Sequence, residues 1–135
     1  MKQGLNMKLK GKNAAITGGT AGIGLAIATA FLREGASVAI MARDPAKGAA
    51  AIDALGGGER SLFIQGDATV QADIEGFVDG TVERFGQIDI LVNNAGGAGE
   101  LLPLADLTDE SFDHTMKLCL YSTFWATRRA LRSML

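Results

Sequence analysis

Residues 13–24 read NAAITGGTAGIG and join a short apolar run to a glycine-rich turn. A buried strand is predicted over Asn13–Thr17, because this run is apolar and Gly18 and Gly19 end it. A helix is predicted over residues 22–34, and Gly35 follows it in the manner of a C-terminal glycine. The apolar residues of this helix at helical spacing are Ile23, Ile27, Ala30 and Phe31.

Strand and helix alternate along the rest of the chain. Strands are predicted over residues 37–42, 61–65 and 88–92, and helices over residues 45–55 and 71–85. A last helix is predicted to follow Thr108, its N-cap, and to continue to the end of the chain. This order predicts an α/β fold, a Rossmann-like doubly wound parallel sheet of strand order 3-2-1-4, truncated after the fourth strand and its following helix. We expect one domain over residues 1–135, with residues 1–10 as a loose N-terminal extension.

Composition excludes several classes of protein. The 135 residues are 47% hydrophobic and 21% charged, with a formal net charge of −2. Nothing in that charge favours nucleic acid or an anionic membrane surface as a partner. The single cysteine, Cys119, allows no disulfide within the chain, and no segment has the roughly 20 apolar residues of a membrane span. We therefore expect a cytoplasmic protein. The single histidine, His114, is expected at a surface or interface, with no metal site.

The glycine turn has the chemistry of a phosphate-binding site. Gly18 permits the tight turn, Gly22 lets the backbone approach a pyrophosphate, and Gly24 lets the helix pack closely on the strand. The N-terminus of the helix offers N–H groups to phosphate. The alternative is a plain tight turn, but the position between a strand and a helix favours phosphate binding.

Three motifs together resemble those of the short-chain dehydrogenase/reductase family. They are TGGTAGIG at residues 17–24, Asp67-Ala68 after the third strand, and Asn93-Asn94-Ala95-Gly96 after the fourth. The resemblance implies the NAD(P)-binding portion of an oxidoreductase that transfers hydride between NADP(H) and an alcohol or carbonyl substrate. The cofactor site that we expect comprises Gly18, Thr20, Gly22, Ile23, Gly24, Arg43, Asp67, Ala68, Asn93, Asn94, Ala95 and Gly96.

The same resemblance implies roles for individual residues, and for each of them an ordinary turn residue is the simpler interpretation. The Asp67 carboxylate accepts a hydrogen bond from the adenine amino group, or else it is an ordinary turn residue at the end of a strand. Asn93 and Asn94 satisfy backbone groups beside the cofactor ribose, a role compatible with their being turn residues.

The end of the second strand bears on the choice of cofactor. Relatives selective for NAD usually carry an acidic residue where Ala42 stands, and the next residue here is Arg43. A guanidinium suits a 2′-phosphate, and the hydroxyl of Thr20 can add to it. NADP is therefore the expected cofactor, with NAD possible: Arg43 could instead be a solvated loop residue, and Asp44 would favour NAD if the alignment slipped.

The family's chemistry needs a tyrosine with a lysine four residues later, and a serine and an asparagine besides. The only tyrosine is Tyr121, and Trp125 stands four residues after it. Cys119 occupies the asparagine position and is expected to be a buried structural cysteine, with a reactive thiol as the alternative. The chain as given therefore holds no catalytic residues and is expected to be inactive. A non-catalytic nucleotide-binding or regulatory, oligomerising subunit is the alternative, and a structural remnant that binds no nucleotide is disfavoured by the intact motifs.

The last helix and the fourth strand predict self-association. The fourth strand is an apolar sheet edge, and an unpaired edge is a template for pairing. The resemblance adds that the corresponding helix commonly lies in a subunit interface. We therefore expect a homo-oligomer, with a marginal monomer as the alternative. The large apolar residues of the last helix are Phe112, Met116, Leu120, Phe124, Trp125 and Leu131.

Overall fold

The computed structural model describes residues 6–135, and its centre is a four-stranded parallel sheet of order β3-β2-β1-β4. This is the fold class and strand order that the sequence predicts. The strands are β1 (Asn13–Thr17), β2 (Ser37–Ala42), β3 (Ser61–Gln65) and β4 (Ile90–Val92). Because β1 lies between β2 and β4, the glycine turn that follows it opens at the middle of the carboxyl edge of the sheet.

Helices connect the strands and cover both faces of the sheet. Three of them match the predicted positions to within one residue: α1 (Gly22–Arg33), α2 (Pro45–Leu55) and α3 (Gln71–Phe85). Gly35 follows α1 with a φ of +93°, which suits glycine. The last helical stretch consists of α4 (Asp109–Met116), a π-helical segment (Lys117–Tyr121) and α5 (Ser122–Met134). Thr108 caps α4 as predicted, because its hydroxyl accepts a hydrogen bond from the Ser111 amide at 3.1 Å.

Alternate residues of the strands feed two separate cores. On one face Ile16 and Ile40 pack against the α1 residues Ala28 and Leu32. On the other face the sheet packs against α3 and α5, chiefly through Ala15, Ala39, Met41, Phe77, Val78, Ala126 and Ala130. Burial on both faces explains why the strands read as continuous apolar runs rather than as alternating ones.

The fourth strand is shorter than predicted. The ladder with β1 pairs only residues 90–92, whereas the sequence predicts a strand from residue 88. The amide of Ile88 donates instead to the Ser133 hydroxyl at 3.0 Å, and the amide of Asp89 donates to the Asn13 carbonyl at 2.8 Å. A contact with α5 therefore replaces the first rung of the predicted strand.

The buried face of α1 also differs from the simple apolar pattern. Its fully buried residues are Gly24, Ala28 and Leu32, spaced four apart. Ile23 and Ala30, two of the four apolar residues at helical spacing, are exposed, and 73% of Ile23 is accessible to solvent. Close packing on the sheet therefore selects the small residues of this helix.

The N-terminal segment is partly attached to the fold. Of the predicted loose extension over residues 1–10, residues 1–5 lie outside the described residues. Further along, the amides of Lys8 and Leu9 donate to the carboxylate and the carbonyl of Glu34 at 3.0 and 2.9 Å, and Leu9 packs against the core beside α1. Within residues 6–135, no helix combines the length and apolar character needed to cross a membrane.

Candidate functional site

The turn between β1 and α1 depends on glycine at three positions. Gly18 and Gly22 have φ values of +70° and +55°, which side chains rarely allow. Gly24 is buried, and a Cβ there would collide with the carbonyl oxygen of Gly18 and the side-chain amide of Asn94. The amide of Gly18 donates to the Met41 carbonyl at 2.9 Å, so the turn is also fixed to the end of β2.

A buried threonine joins this turn to the chain after β4. The hydroxyl oxygen of Thr17 accepts hydrogen bonds from the backbone amides of Asn94 and Ala95, at 3.1 and 3.0 Å. The Asn94 side chain completes the link by donating to the Gly18 carbonyl at 2.9 Å. Only 2% of Thr17 is exposed, so water cannot replace these bonds. The network holds the ends of two adjacent strands in one fixed arrangement.

The N-terminus of α1 is the helix end nearest to this network, and no side chain caps it. Its N-cap is Ala21, which has no polar side-chain atom, whereas Asp44 caps α2 by accepting from the Ala46 and Lys47 amides. The first two amides of α1 belong to Gly22 and Ile23, and both residues are exposed. These amides and the helix dipole are suited to an anion.

A cleft of about 200 Å³ runs along the carboxyl edge of the sheet. Six of its lining residues are among those that the sequence assigns to the cofactor site: Gly18, Arg43, Asp67, Ala68, Ala95 and Gly96. Six further residues complete its lining: Met41, Ala42, Gly66, Thr69, His114 and Leu118. The structure thus brings together the turn after β1, the end of β2, the loops after β3 and β4, and the last helical stretch.

Asp67 lies in this cleft as a stabilised carboxylate. Burial acts to raise the pKa of Asp67, but hydrogen bonds from the Thr69 amide (2.9 Å) and hydroxyl (2.7 Å) act to lower it. Positive charge at Arg43 and His114 acts in the same direction, so the pKa of Asp67 lies below its ordinary value. Both hydrogen bonds go to one oxygen, Oδ1, which leaves Oδ2 available to a ligand in the cleft.

A second hollow adjoins the cleft where β2 ends. It is lined by Thr20, Ala42, Arg43, Asp44 and Lys47. The Asp44 carboxylate accepts from the Ala46 amide at 2.9 Å, so it serves as a helix cap at this site. Lys47 is not among the site residues predicted from the sequence. It lies in the first turn of α2, which begins at Pro45, and Arg43 lies two residues before that helix.

Asn93 does not line the cleft. Its side-chain amide donates to the Thr127 hydroxyl at 3.1 Å and so contacts α5. Of the asparagine pair, Asn94 alone joins the glycine turn.

The prediction that Cys119 is buried is wrong. Its thiol is exposed and donates to the Gly97 carbonyl at 3.5 Å. Cys119 lies in the π-helical segment, whose backbone hydrogen bonds span one residue more than those of an α-helix. This extra residue changes the helix face on which the residues of the segment lie. In the same segment the ring of Tyr121 packs edge-on against Trp125, with 5.7 Å between the ring centroids.

Comparison with known proteins identifies a family. The family model for short chain dehydrogenases matches residues 12–135. The chain is 40% identical over 128 residues to 3beta-hydroxysteroid dehydrogenase 2 of Eggerthella lenta, covering 94% of this chain and 49% of that protein. It is also 40% identical over 127 residues to the NADP-dependent (R)-specific alcohol dehydrogenase of Lentilactobacillus kefiri, covering 94% and 50%. The chain spans about half the length of these relatives.

Solved structures give the same result for the fold. A short-chain dehydrogenase/reductase from Brucella melitensis superimposes with a TM-score of 0.89 at 33% identity, over 94% of this chain and 53% of that one. The NADH-dependent reductase A1-R′ in complex with NAD gives a TM-score of 0.85 at 37% identity, over 94% and 54%.

The Thr17 network generates a prediction about stability. Thr17→Val keeps the shape of the side chain but leaves the Asn94 and Ala95 amides without their acceptor. Each buried amide without a partner costs about 1–3 kcal/mol, so Thr17→Val should lower the free energy of unfolding by at least that much. Thr17→Ser, which keeps the hydroxyl, is the matched control. Urea denaturation measures both variants, and equal stability of the two would contradict the network.

Proposed function

The chain belongs to the short-chain dehydrogenase family, and on that premise we propose that its cleft binds NADP(H) for hydride transfer to or from an alcohol or carbonyl substrate. The chain spans about half the length of the relatives that it matches. We therefore propose hydride transfer only for a protein of their full length. The part proposed for residues 6–135 is to bind and orient the dinucleotide.

The observation that carries the proposal is the uncapped N-terminus of α1, held at the carboxyl edge of the sheet by the Thr17 network. A pyrophosphate at this position would receive hydrogen bonds from amides near Gly22 and Ile23 and would lie at the positive end of the helix dipole. The positive φ of Gly22 and the open space on its side-chain face leave room for the phosphate groups.

The adenosine half of the dinucleotide would then extend toward β2 and β3. Asp67 lines the cleft, and its Oδ2 would accept a hydrogen bond from the adenine amino group. Gly18, Ala68, Ala95 and Gly96 provide walls with little side chain, which suits a flat base and a ribose.

The second hollow favours NADP over NAD. Arg43 and Lys47 place two cations beside the Thr20 hydroxyl, and this combination suits a 2′-phosphate. The one carboxylate in the hollow, that of Asp44, caps α2, and Ala42 stands where an acid would hold the ribose hydroxyls. Relatives differ in this property: the Lentilactobacillus kefiri enzyme is named for NADP, and the reductase A1-R′ for NADH.

We predict that the chain binds NADPH more tightly than NADH. Arg43→Ala should weaken NADPH binding by about 1–3 kcal/mol and leave NADH binding nearly unchanged, because the lost bonds go to the 2′-phosphate. Arg33→Ala, which removes the same charge from the exposed far end of α1, is the matched control. Isothermal titration calorimetry measures the six affinities, those of the unsubstituted chain and the two variants for each cofactor. Equal affinity for the two cofactors in the unsubstituted chain would contradict the role of Arg43.

We also predict that residues 1–135 alone have no dehydrogenase activity. Hydride transfer to a carbonyl needs a proton from a well-placed acid, and the only tyrosine, Tyr121, packs against Trp125 with no lysine four residues away. Cys119→Asn should not restore activity, since the tyrosine–lysine pair would still be missing. NADPH oxidation by the pure chain, followed at 340 nm with a panel of ketones, should match the rate without protein. Turnover above that rate would contradict the prediction.

The exposed face of the last helix supports self-association. Leu120, Phe124 and Leu131 are exposed at spacings of four and seven residues, and so form one apolar stripe on α5 and the turn before it. Met116 and Trp125, which the sequence also suggests for an interface, are only partly exposed, and Trp125 packs against the core beside α3. A second copy of the chain is the partner that we propose for this stripe and for the edge of β4.

The assembly proposal predicts a dimer or larger oligomer at micromolar concentration. Phe124→Asp should shift it toward the monomer, because a charged carboxylate would replace an apolar ring in the interface. Leu104→Asp places the same charge on an exposed leucine outside the stripe and should leave the assembly unchanged. Multi-angle light scattering reports the mass of each variant. A cooperatively unfolding monomer of the unsubstituted chain would contradict the proposal.

A further inference from the structure

His114 has a position that its sequence context does not suggest. It lies in α4 with an exposed side chain, in agreement with the predicted surface position, and yet it lines the cleft at the carboxyl edge of the sheet. Leu118, one turn later, lines the same cleft. The helix therefore supplies one wall of the cleft through an imidazole and an apolar side chain.

The ends of β2 and β3 line the same cleft through Arg43, Gly66, Asp67 and Ala68. His114 shares this lining with Asp67, which follows β3, whereas the first residues of α1 are not part of it. The cleft therefore has an end at β3 that is separate from the N-terminus of α1. The part of a dinucleotide that reaches this end under the proposed function is the adenosine half.

The flat imidazole ring of His114 at this end of the cleft can stack against a purine base. Purine bases stack on aromatic side chains, histidine included, and such stacking tolerates a solvent-exposed ring. The small residues Gly66 and Ala68 on the sheet side leave width for a base, and Asp67 offers an acceptor to its edge. An imidazole on the helix side completes a slot with one polar edge and two faces.

We propose that His114 determines the affinity of the cleft for adenine, by packing its imidazole against the base on the side opposite Ala68. This rests on the proposed function, because it assumes that the cleft holds the adenosine half of a dinucleotide. His114 acts in binding and takes no part in hydride transfer.

The experiment uses the single histidine of the chain as a reporter. Its imidazole Hε1 resonance is identified in a one-dimensional proton NMR spectrum without further assignment. At fixed pH, adenosine 2′,5′-bisphosphate should shift this resonance to a saturating limit through the ring current of the base. Nicotinamide mononucleotide, which has a ribose phosphate but no adenine, should leave it in place.

Three variants test the contact by calorimetry with the same adenosine ligand. His114→Ala should weaken binding about five- to hundredfold, the range found when a base loses an aromatic stacking partner. His114→Phe keeps a flat ring and should retain most of the affinity. Glu110→Gln, one turn earlier on α4 and outside the cleft, is the matched control and should bind like the unsubstituted chain.

The outcomes separate this proposal from the proposed function. If the unsubstituted chain does not bind adenosine 2′,5′-bisphosphate, both are overturned. If it binds and His114→Ala binds equally well, the role of His114 alone is overturned. An equal shift of the Hε1 resonance by nicotinamide mononucleotide, or failure of His114→Phe to retain affinity, overturns the stacking contact. Weak binding by His114→Ala together with retained binding by His114→Phe supports it.

Discussion

The hydroxyl of Thr17 is the acceptor on which the arrangement of the candidate site depends. It receives two amides from the chain after β4, while the Asn94 side chain returns a hydrogen bond to the glycine turn after β1. The two segments are not paired with each other at this point, since the ladder between β1 and β4 ends at Ile16 and Val92. Side-chain bonds therefore replace the sheet at the place where the two loops must diverge around a ligand.

This constraint explains the glycine at position 24. A helix held so close to the Gly18 carbonyl and the Asn94 amide has no room for a Cβ. The same closeness places the uncapped end of α1 at the middle of the carboxyl edge, and the cleft extends from there toward Asp67 and Arg43. Parallel doubly wound sheets bind ligands at this edge because their loops diverge there. The close packing at Gly24 therefore also determines where the proposed anion site lies.

Sequence predicts the elements well where a local pattern suffices. Apolar runs fix β1, β2 and β3, with glycine directly after the first and the third, and the periodic helices follow within one residue. Sequence fails where a tertiary contact decides, as when Ser133 takes the Ile88 amide that the predicted strand would use. The π-helical segment exposes Cys119, and no local signal marks it. The sequence marks Thr17 only as a strand end and His114 only as a surface residue, because Asn94 and Asp67, the residues on which they act, lie about 77 and 47 positions away.

The most direct test of the account is the map of backbone amides that respond to the cofactor. A ¹H–¹⁵N correlation spectrum of the labelled chain, recorded during titration with NADPH, reports every amide at once. We expect the largest shifts at Gly22, Ile23 and Gly24, where the pyrophosphate would accept hydrogen bonds from the start of α1. Saturable shifts confined to other parts of the sheet, or no saturable shifts at all, would contradict a dinucleotide site at the turn that Thr17 holds in place.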